Sequence, residues 1–299
     1  MNTQVYTNAN ELRGFSVKNC ASMPAPGTVL MCAPDYFDVV DVKNPFMVGK
    51  VGTVDKALAR RQWDAVRDTY AAKGKIIKQI EPVAGFEDMV FCVSTTMVGL
   101  TTRMERVCLL SLMRHPSRRR EVPFFEKWFR AEGYRIERLK DETAMFEGMG
   151  DCLWHPGKRL LWGGHGFRSD PEVYKEVAHI FEAPVILLHL VNERFYNLIT
   201  CFCPLSPEVV LIYPPAFDPE SLGLILKIFP IVLVAEETEA TRLLACNAAV
   251  VDSKTALLQK GAEIAARHIR ASGIETIPLD AGEFLKSGSS VASLRAPVY

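Results

Sequence analysis

Four glycine-bearing clusters hold most of the side chains whose types could do chemistry: "FEGMGD" at 146–151, "WGGHGFRSD" at 162–170, "ACNAAVV" at 245–251 and "KSGSSVAS" at 286–293. A glycine-rich turn cradles a phosphate only with the right spacing and a helix behind it. "GGHG" lacks the spacing of a dinucleotide fingerprint and the acid that should follow, and "GHGFRS" lacks the lysine of a phosphate loop, so nucleotide binding is not indicated. The stretch "RFYNLITCFCP" at 194–204 sets Cys201 and Cys203 as half a metal site. Zinc takes about four ligands, and no second pair of Cys or His follows, so both are expected as strand thiols in the core, with no metal and no cofactor. His115, His165 and His189 could serve as bases, yet a lone histidine in a loop or strand is more often a structural hydrogen-bonder.

Such residues need a scaffold. Of the 299 residues, 48% are hydrophobic and 23% charged, the balance of a soluble globular chain with room for one large α/β domain. Thirty-five Lys and Arg offset thirty-five Asp and Glu, so no global field attracts nucleic acid or an anionic membrane. Arg118, Arg119 and Arg120 with Arg114 form the basic cluster, and without interleaved aromatics it reads as a solvated face or a carboxylate site. The eight cysteines lie mostly in apolar runs, as suits reduced thiols of a cytoplasmic protein. No apolar run reaches the roughly 18 residues of a bilayer span. Residues 1–27 are Ser/Thr/Asn-rich with one acid, Glu11, a faint mitochondrial-type signal, and are treated as an irregular arm before a single domain at 28–299.

Hydrophobic patterning gives "GTVLMCAP", "YFDVVDV", "KIIKQIEP", "MVFCVSTTMVG" and "RVCLLSLM" as strands. "TVDKALARRQWDAVRDTYAAKG" is a helix with Thr53 as cap and a Gly74 stop, and "VPFFEKWFRAEG" a second one. "CLWHPGKRLLWGG" is a hairpin turning at Pro156 and Gly157, followed by the helix "DPEVYKEVAHIF" capped by Asp170. The strands "PVILLHL", "YNLITCF" and "EVVLIYP" come next, then helices near 218–228 and 236–245, strands, the helix "TALLQKGAEIAARHIRAS" and a last strand pair. Five strand–helix–strand modules result.

The motifs "MCAPDYFDVVDVKNPFM", "EDMVF", "MRHPSRRRE", "FEGMGD", "GFRSD", "RFYNLITCFCPL", "IYPPAF", "ACNA" and "FLKSGSSV" occur in an order that resembles amidinotransferase and dimethylargininase-like proteins. That is the guanidine-modifying pentein group, which also holds arginine deiminases and dihydrolases, and the resemblance covers residues 28–295. It implies a five-bladed, pseudo-symmetric α/β propeller of ββαβ modules with a polar site at its centre. It also implies a cysteine thiolate near the C-terminus that attacks the guanidinium carbon, a histidine in an "FY-His-L" motif that moves protons, and acids that hold the guanidinium. A delocalised guanidinium is a poor electrophile, so a strong nucleophile and a proton donor are what the reaction needs.

Carried over residue by residue, the pattern departs from the group at its catalytic positions. Ser293 stands at the cysteine position, Asn197 at the histidine position, Ile199 where close relatives carry aspartate, and Ser94 at a polar site position. Glu147 is retained, with Arg114 or Arg118 and Arg168 as the implied carboxylate-binding arginines. A serine hydroxyl is almost never ionised without a neighbouring base, and losing general acid–base help alone costs roughly 10²–10⁴ in rate. The expectation is therefore a non-catalytic or strongly impaired homologue that acts in binding, with a guanidine or amino acid as ligand, or as an assembly component through a homo-oligomer or protein partner. The alternative is an active hydrolase on C–N bonds of linear amidines, using Ser293 or a relocated cysteine. A third reading, a structural subunit, predicts a centre filled by side chains such as Met149 and Ile199.

Overall fold

In the computed structural model, which describes residues 2–252 and 254–299, one supersecondary unit recurs five times. After β1 (Val5–Tyr6), the first blade runs β2 (Thr28–Cys32), α1 (Lys56–Ala72) and β3 (Ile76–Ile80). The second is β4 (Thr96–Leu100), β5 (Arg106–Leu110), α2 (Val122–Ala131) and β6 (Arg135–Glu137). The third is β7 (Cys152–Trp154), β8 (Leu161–His165), α3 (Val173–Ile180) and β9 (Val185–His189). The fourth is β10 (Phe202–Pro204), β11 (Val209–Ile212), α4 (Pro219–Ile228) and β12 (Ile231–Val234). The fifth is β13 (Ala249–Asp252), β14 (Thr255–Gln259), α5 (Glu263–Ala271) and β15 (Glu275–Leu279). In the last four, the first strand pairs antiparallel with the second, and the helix returns the chain to a third strand parallel to the second. The first blade has no opening strand of its own, and β16 (Ala296–Val298) supplies it from the chain's far end, antiparallel to β2. This is the pentein propeller, its ring closed by strand exchange between the ends.

The middle strand of each blade is covered on both faces, so it reads as an almost continuous apolar run: "VLMC", "VCLL" and "VVLI" are buried throughout. The helices need one apolar stripe only, and α1 buries Ala59, Trp63, Val66 and Tyr70 at helical spacing.

Local departures from the sequence expectation have identifiable causes. "YFDVVDV" forms no strand, because both edges of β2 are already taken by β3 and β16; Val40 and Val42 are about half exposed. Asp55, not Thr53, caps α1 through its Leu58 N–H at 2.9 Å, a carboxylate that also suits the helix dipole. Asp170 accepts from the Met145 N–H at 2.8 Å instead of capping, and α3 starts after Glu172. "YNLITCF" is a helical turn at Leu198–Thr200 before the short β10. "TALLQKGAEIAARHIRAS" divides into β14 and α5, since a fully buried apolar run fits a central strand as well as a helix. The arm is not wholly irregular: β1 lies parallel to β9 and extends the third blade's sheet. No helix among the described residues is long and apolar enough to cross a membrane.

Candidate functional site

Each inner strand, β4, β7, β10, β13 and β16, is entered through a tight turn, and the turns deliver polar side chains to one end of the central pore. Ser94 ends the turn before β4, Glu147 and Asp151 flank the turn before β7, Asn197 precedes the turn before β10, Asn247 leads into β13, and Ser293 leads into β16. Close approach requires glycine here. A Cβ on Gly148, at φ +49°, would lie 2.4 Å from the Thr96 carbonyl, and one on Gly150 would lie 2.8 Å from Ser94 Oγ.

Glu147 anchors this end. Its Oε1 accepts from Arg168 Nη1 at 3.2 Å and from the Arg114 backbone N–H at 3.2 Å, while Oε2 accepts from Asn197 Nδ2 at 3.3 Å. Asn197 does not spend its side chain on capping its own turn. Arg168 stacks over the Tyr196 ring at 4.6 Å and donates to the Lys43 carbonyl at 2.9 Å. Behind Glu147, Asp151 accepts from Ser169 Oγ at 2.7 Å and the Leu198 N–H at 2.8 Å. Burial, and then the nearby Glu147 charge, push its carboxyl up to about 7. Burial likewise pushes Tyr196 to about 12.

The segment between β2 and α1 closes the mouth. Lys43 reaches in with a side chain only 4% exposed and pairs with Glu87 at 2.9 Å, Asp88 at 3.2 Å and Asp41. Burial opposes its charge, but those three acids more than offset it and hold the ammonium above its usual pKa. Asn44 Nδ2 donates to the Ser287 carbonyl at 3.0 Å. The cavity left beneath measures about 30 Å³, room for little more than one water. Two buried acceptors on its wall, Asp88 Oδ1 and Ser287 Oγ, have no hydrogen-bond partner.

The cavity wall brings together Ser94, Glu147, Arg118, Arg168, Asn197 and Ser293. Arg114 is corrected: its guanidinium is exposed and donates to the Phe167 carbonyl at 3.2 Å, so only its backbone reaches the site. Arg118 lines the cavity, but its charge is already held by Glu121 at 2.9 Å; burial lifts the Glu121 carboxyl to about 7 despite that arginine. Ser293 Oγ donates to Asn247 Oδ1 at 3.2 Å, an amide oxygen that cannot accept its proton outright. None of the eight thiols lines this cavity. Burial pushes Cys32 and Cys203 to about 12 and Cys92, Cys201 and Cys246 well above the ordinary thiol value. His165 stacks on His189 with ring centres 4.7 Å apart, outside the cavity. Among the described residues no cluster of three or more His, Cys, Asp or Glu could hold a metal.

Lys43, Asp88, Asn247 and Ser287 were not foreseen as site residues. All four lie inside motifs that carry the resemblance, "MCAPDYFDVVDVKNPFM", "EDMVF", "ACNA" and "FLKSGSSV", but no spacing rule picks out the individual residues within them. Lys43 directly follows "YFDVVDV", a stretch that reads as a strand.

No established family profile matches the chain. Curated relatives do. Over 268 residues it is 35% identical to the bifunctional arginine dihydrolase/ornithine cyclodeaminase ArgZ of Synechocystis sp., covering 89% of this chain and 37% of that one. Over 261 residues it is 32% identical to the N(G),N(G)-dimethylarginine dimethylaminohydrolase of Mycobacterium tuberculosis, covering 87% and 82%. Among solved structures, the N-terminal domain of ArgZ, in which a cysteine is replaced by serine and substrate is bound, superposes with a TM-score of 0.84 at 34% identity, covering 90% of this chain and 97% of that one.

Proposed function

The chain belongs to the guanidine-modifying pentein family, and from that membership we propose that the polar end of its pore binds the guanidinium of arginine or a methylarginine without the thiolate chemistry of the family. The observation that carries this reading is the unmatched acceptor pair, Asp88 Oδ1 and Ser287 Oγ, on a wall shared with Glu147. Buried acceptors without partners are costly, and a planar cation with several N–H donors would satisfy them. Ser293 and Asn197 offer neither a thiolate nor a base. A cysteine-to-serine change that leaves substrate bound, as in the ArgZ domain structure, is the same exchange that the family resemblance places at Ser293. Because the cavity holds only about 30 Å³, binding requires the segment carrying Lys43, Asn44 and Met47 to swing outward.

The comparisons favour a second reading, an amidinohydrolase on arginine-type substrates, since the named relatives are hydrolases of that kind. With the thiols outside the cavity, that reading rests on Ser293 as nucleophile. Both readings meet in one experiment: calorimetric titration with arginine and methylarginines, with mass-spectrometric product analysis, of wild type, Asp88→Asn and the Asn197→His, Ser293→Cys double variant. The expected result is saturable binding without product in wild type, binding weakened about tenfold or more by Asp88→Asn, as for loss of a charge-assisted hydrogen bond, and product from the double variant. Turnover by wild type, abolished by Ser293→Ala, would establish the hydrolase reading instead. No binding by wild type would end the guanidinium reading.

A further inference from the structure

The other end of the same pore is built differently. It opens into a cavity of about 390 Å³ lined from all five blades and from the arm at Met23–Pro26. Ile199 borders both cavities, with Met149 and Val93 beside it on this side, so these side chains form a partition rather than filling the centre. The lining is largely apolar: Val29, Trp154, Phe202, Leu205 and Val250 contribute to it. His155 adds no charge, because its Nε2 lies 3.2 Å from the Pro207 carbonyl, its Nδ1 accepts from Trp162 Nε1 at 3.2 Å, and burial lowers its pKa to about 4.

The charged side chains of the lining are Lys75, Arg295 and Asp252. Lys75 Nζ donates to the Pro26 carbonyl at 2.8 Å and Arg295 Nε to Tyr70 Oη at 3.0 Å. Asp252 accepts from the Lys254 N–H at 2.7 Å. Among the described residues neither cation forms an ion pair, although Asp252 lies near enough to attract Lys75; the lining's charged side chains are two cations and one acid. A concave apolar chamber of this size falls in the range of small-molecule sites, where a few charged groups fix orientation.

We propose that this chamber is a second ligand site, independent of the guanidinium reading, which takes a monocarboxylate with an unbranched apolar tail. The tail lies against the inner strands, and the carboxylate is held by Lys75 and Arg295. The area removed from water supplies the affinity, and the two cations select the anion.

The test is calorimetric titration of the full chain with dodecanoate, kept below its micelle concentration, beside dodecan-1-ol. Wild type should bind one dodecanoate saturably and prefer it to the alcohol at least tenfold. The Lys75→Gln, Arg295→Gln variant should lose that preference while keeping the alcohol's affinity, and Val250→Trp or Ala25→Trp, two independent ways to fill the chamber, should abolish both. Equal affinity for acid and alcohol in wild type, or full binding by both tryptophan variants, would overturn the proposal. So would a dimer by light scattering that Ala25→Trp dissociates, which would assign the chamber to a second copy of the chain.

Discussion

The two ends of the pore are made by the same five inner strands yet are opposites in packing. At the polar end, carboxylates and guanidiniums interlock until only about 30 Å³ is free. At the apolar end, about 390 Å³ stays open and, among the described residues, its two cations form no ion pair. The difference follows from which end of each strand is examined. The turns that lead into the strands bring side chains of mixed polarity close to the axis, and buried polar groups must then find one another. The strands' far ends carry apolar side chains that meet no such demand. Stability and ligand binding are thus separated along one axis: the closed end is held by pairing, and the open end has surface to offer.

Breaking the closed end should therefore cost the most. Arg168→Ala would leave Glu147, 1% exposed, without its guanidinium partner at 3.2 Å and would remove the cover over Tyr196. Removing one partner of a buried ion pair typically costs about 3–5 kcal/mol. Chemical denaturation should show a fall of that order, and Arg168→Lys should recover only part of it, since an ammonium cannot reproduce the planar contact with Glu147, Tyr196 and the Lys43 carbonyl together. A loss below about 1 kcal/mol would mean that Asn197 and the Arg114 N–H alone suffice for Glu147.

Much of the scaffold was legible in the sequence, because a strand covered on both faces and a helix with one apolar stripe leave clear periods. "VPFFEKWFRAEG" and "CLWHPGKRLLWGG" are examples whose elements lie where the pattern sets them. What was not legible depends on partners distant in the chain. "YFDVVDV" has strand alternation but no free edge to join. Asn197 looked like part of a strand, yet a carboxylate forty-six residues earlier, Asp151, takes the Leu198 N–H and fixes a turn there. The polar positions were reached only through the order of family motifs. The apolar chamber had no signal at all, since each of its walls, taken singly, is an ordinary core residue, and only the closing of five blades shows that they face an empty centre.

A pH series probes the same end more finely. Burial and the nearby Glu147 charge raise the folded-state Asp151 carboxyl to about 7 from its ordinary 3.8, so between those values the folded protein binds more protons than the unfolded chain. Stability from this group is thus fully present below about pH 4, falls as pH rises, and levels off above about pH 7. Asp151→Asn can keep an acceptor for the Leu198 N–H and turns its amide toward Ser169, so it should flatten that slope while preserving the fold. Denaturation midpoints from pH 4.5 to 8 would show it as a smaller decline than in wild type, on the order of a few kcal/mol across the window. A residual slope is expected, because Glu121 is raised into the same range. An unchanged slope would place the protonation elsewhere.

The smallest expected effect sharpens the contrast most. Lys75 is part-buried at the open end, its pKa lowered by burial and then by Arg295, and its contact is a single backbone carbonyl. Removing it breaks no ion pair and relieves a repulsion from Arg295 that is larger than the attraction of Asp252. Lys75→Gln should therefore change stability by no more than about 0.5 kcal/mol, and if anything raise it at low salt, where the repulsion is least screened. A loss comparable to that of Arg168→Ala would show that the open end is held by charge pairing after all. The difference between the ends would then be one of volume alone, and the reason for reserving Lys75 and Arg295 for a bound anion would disappear.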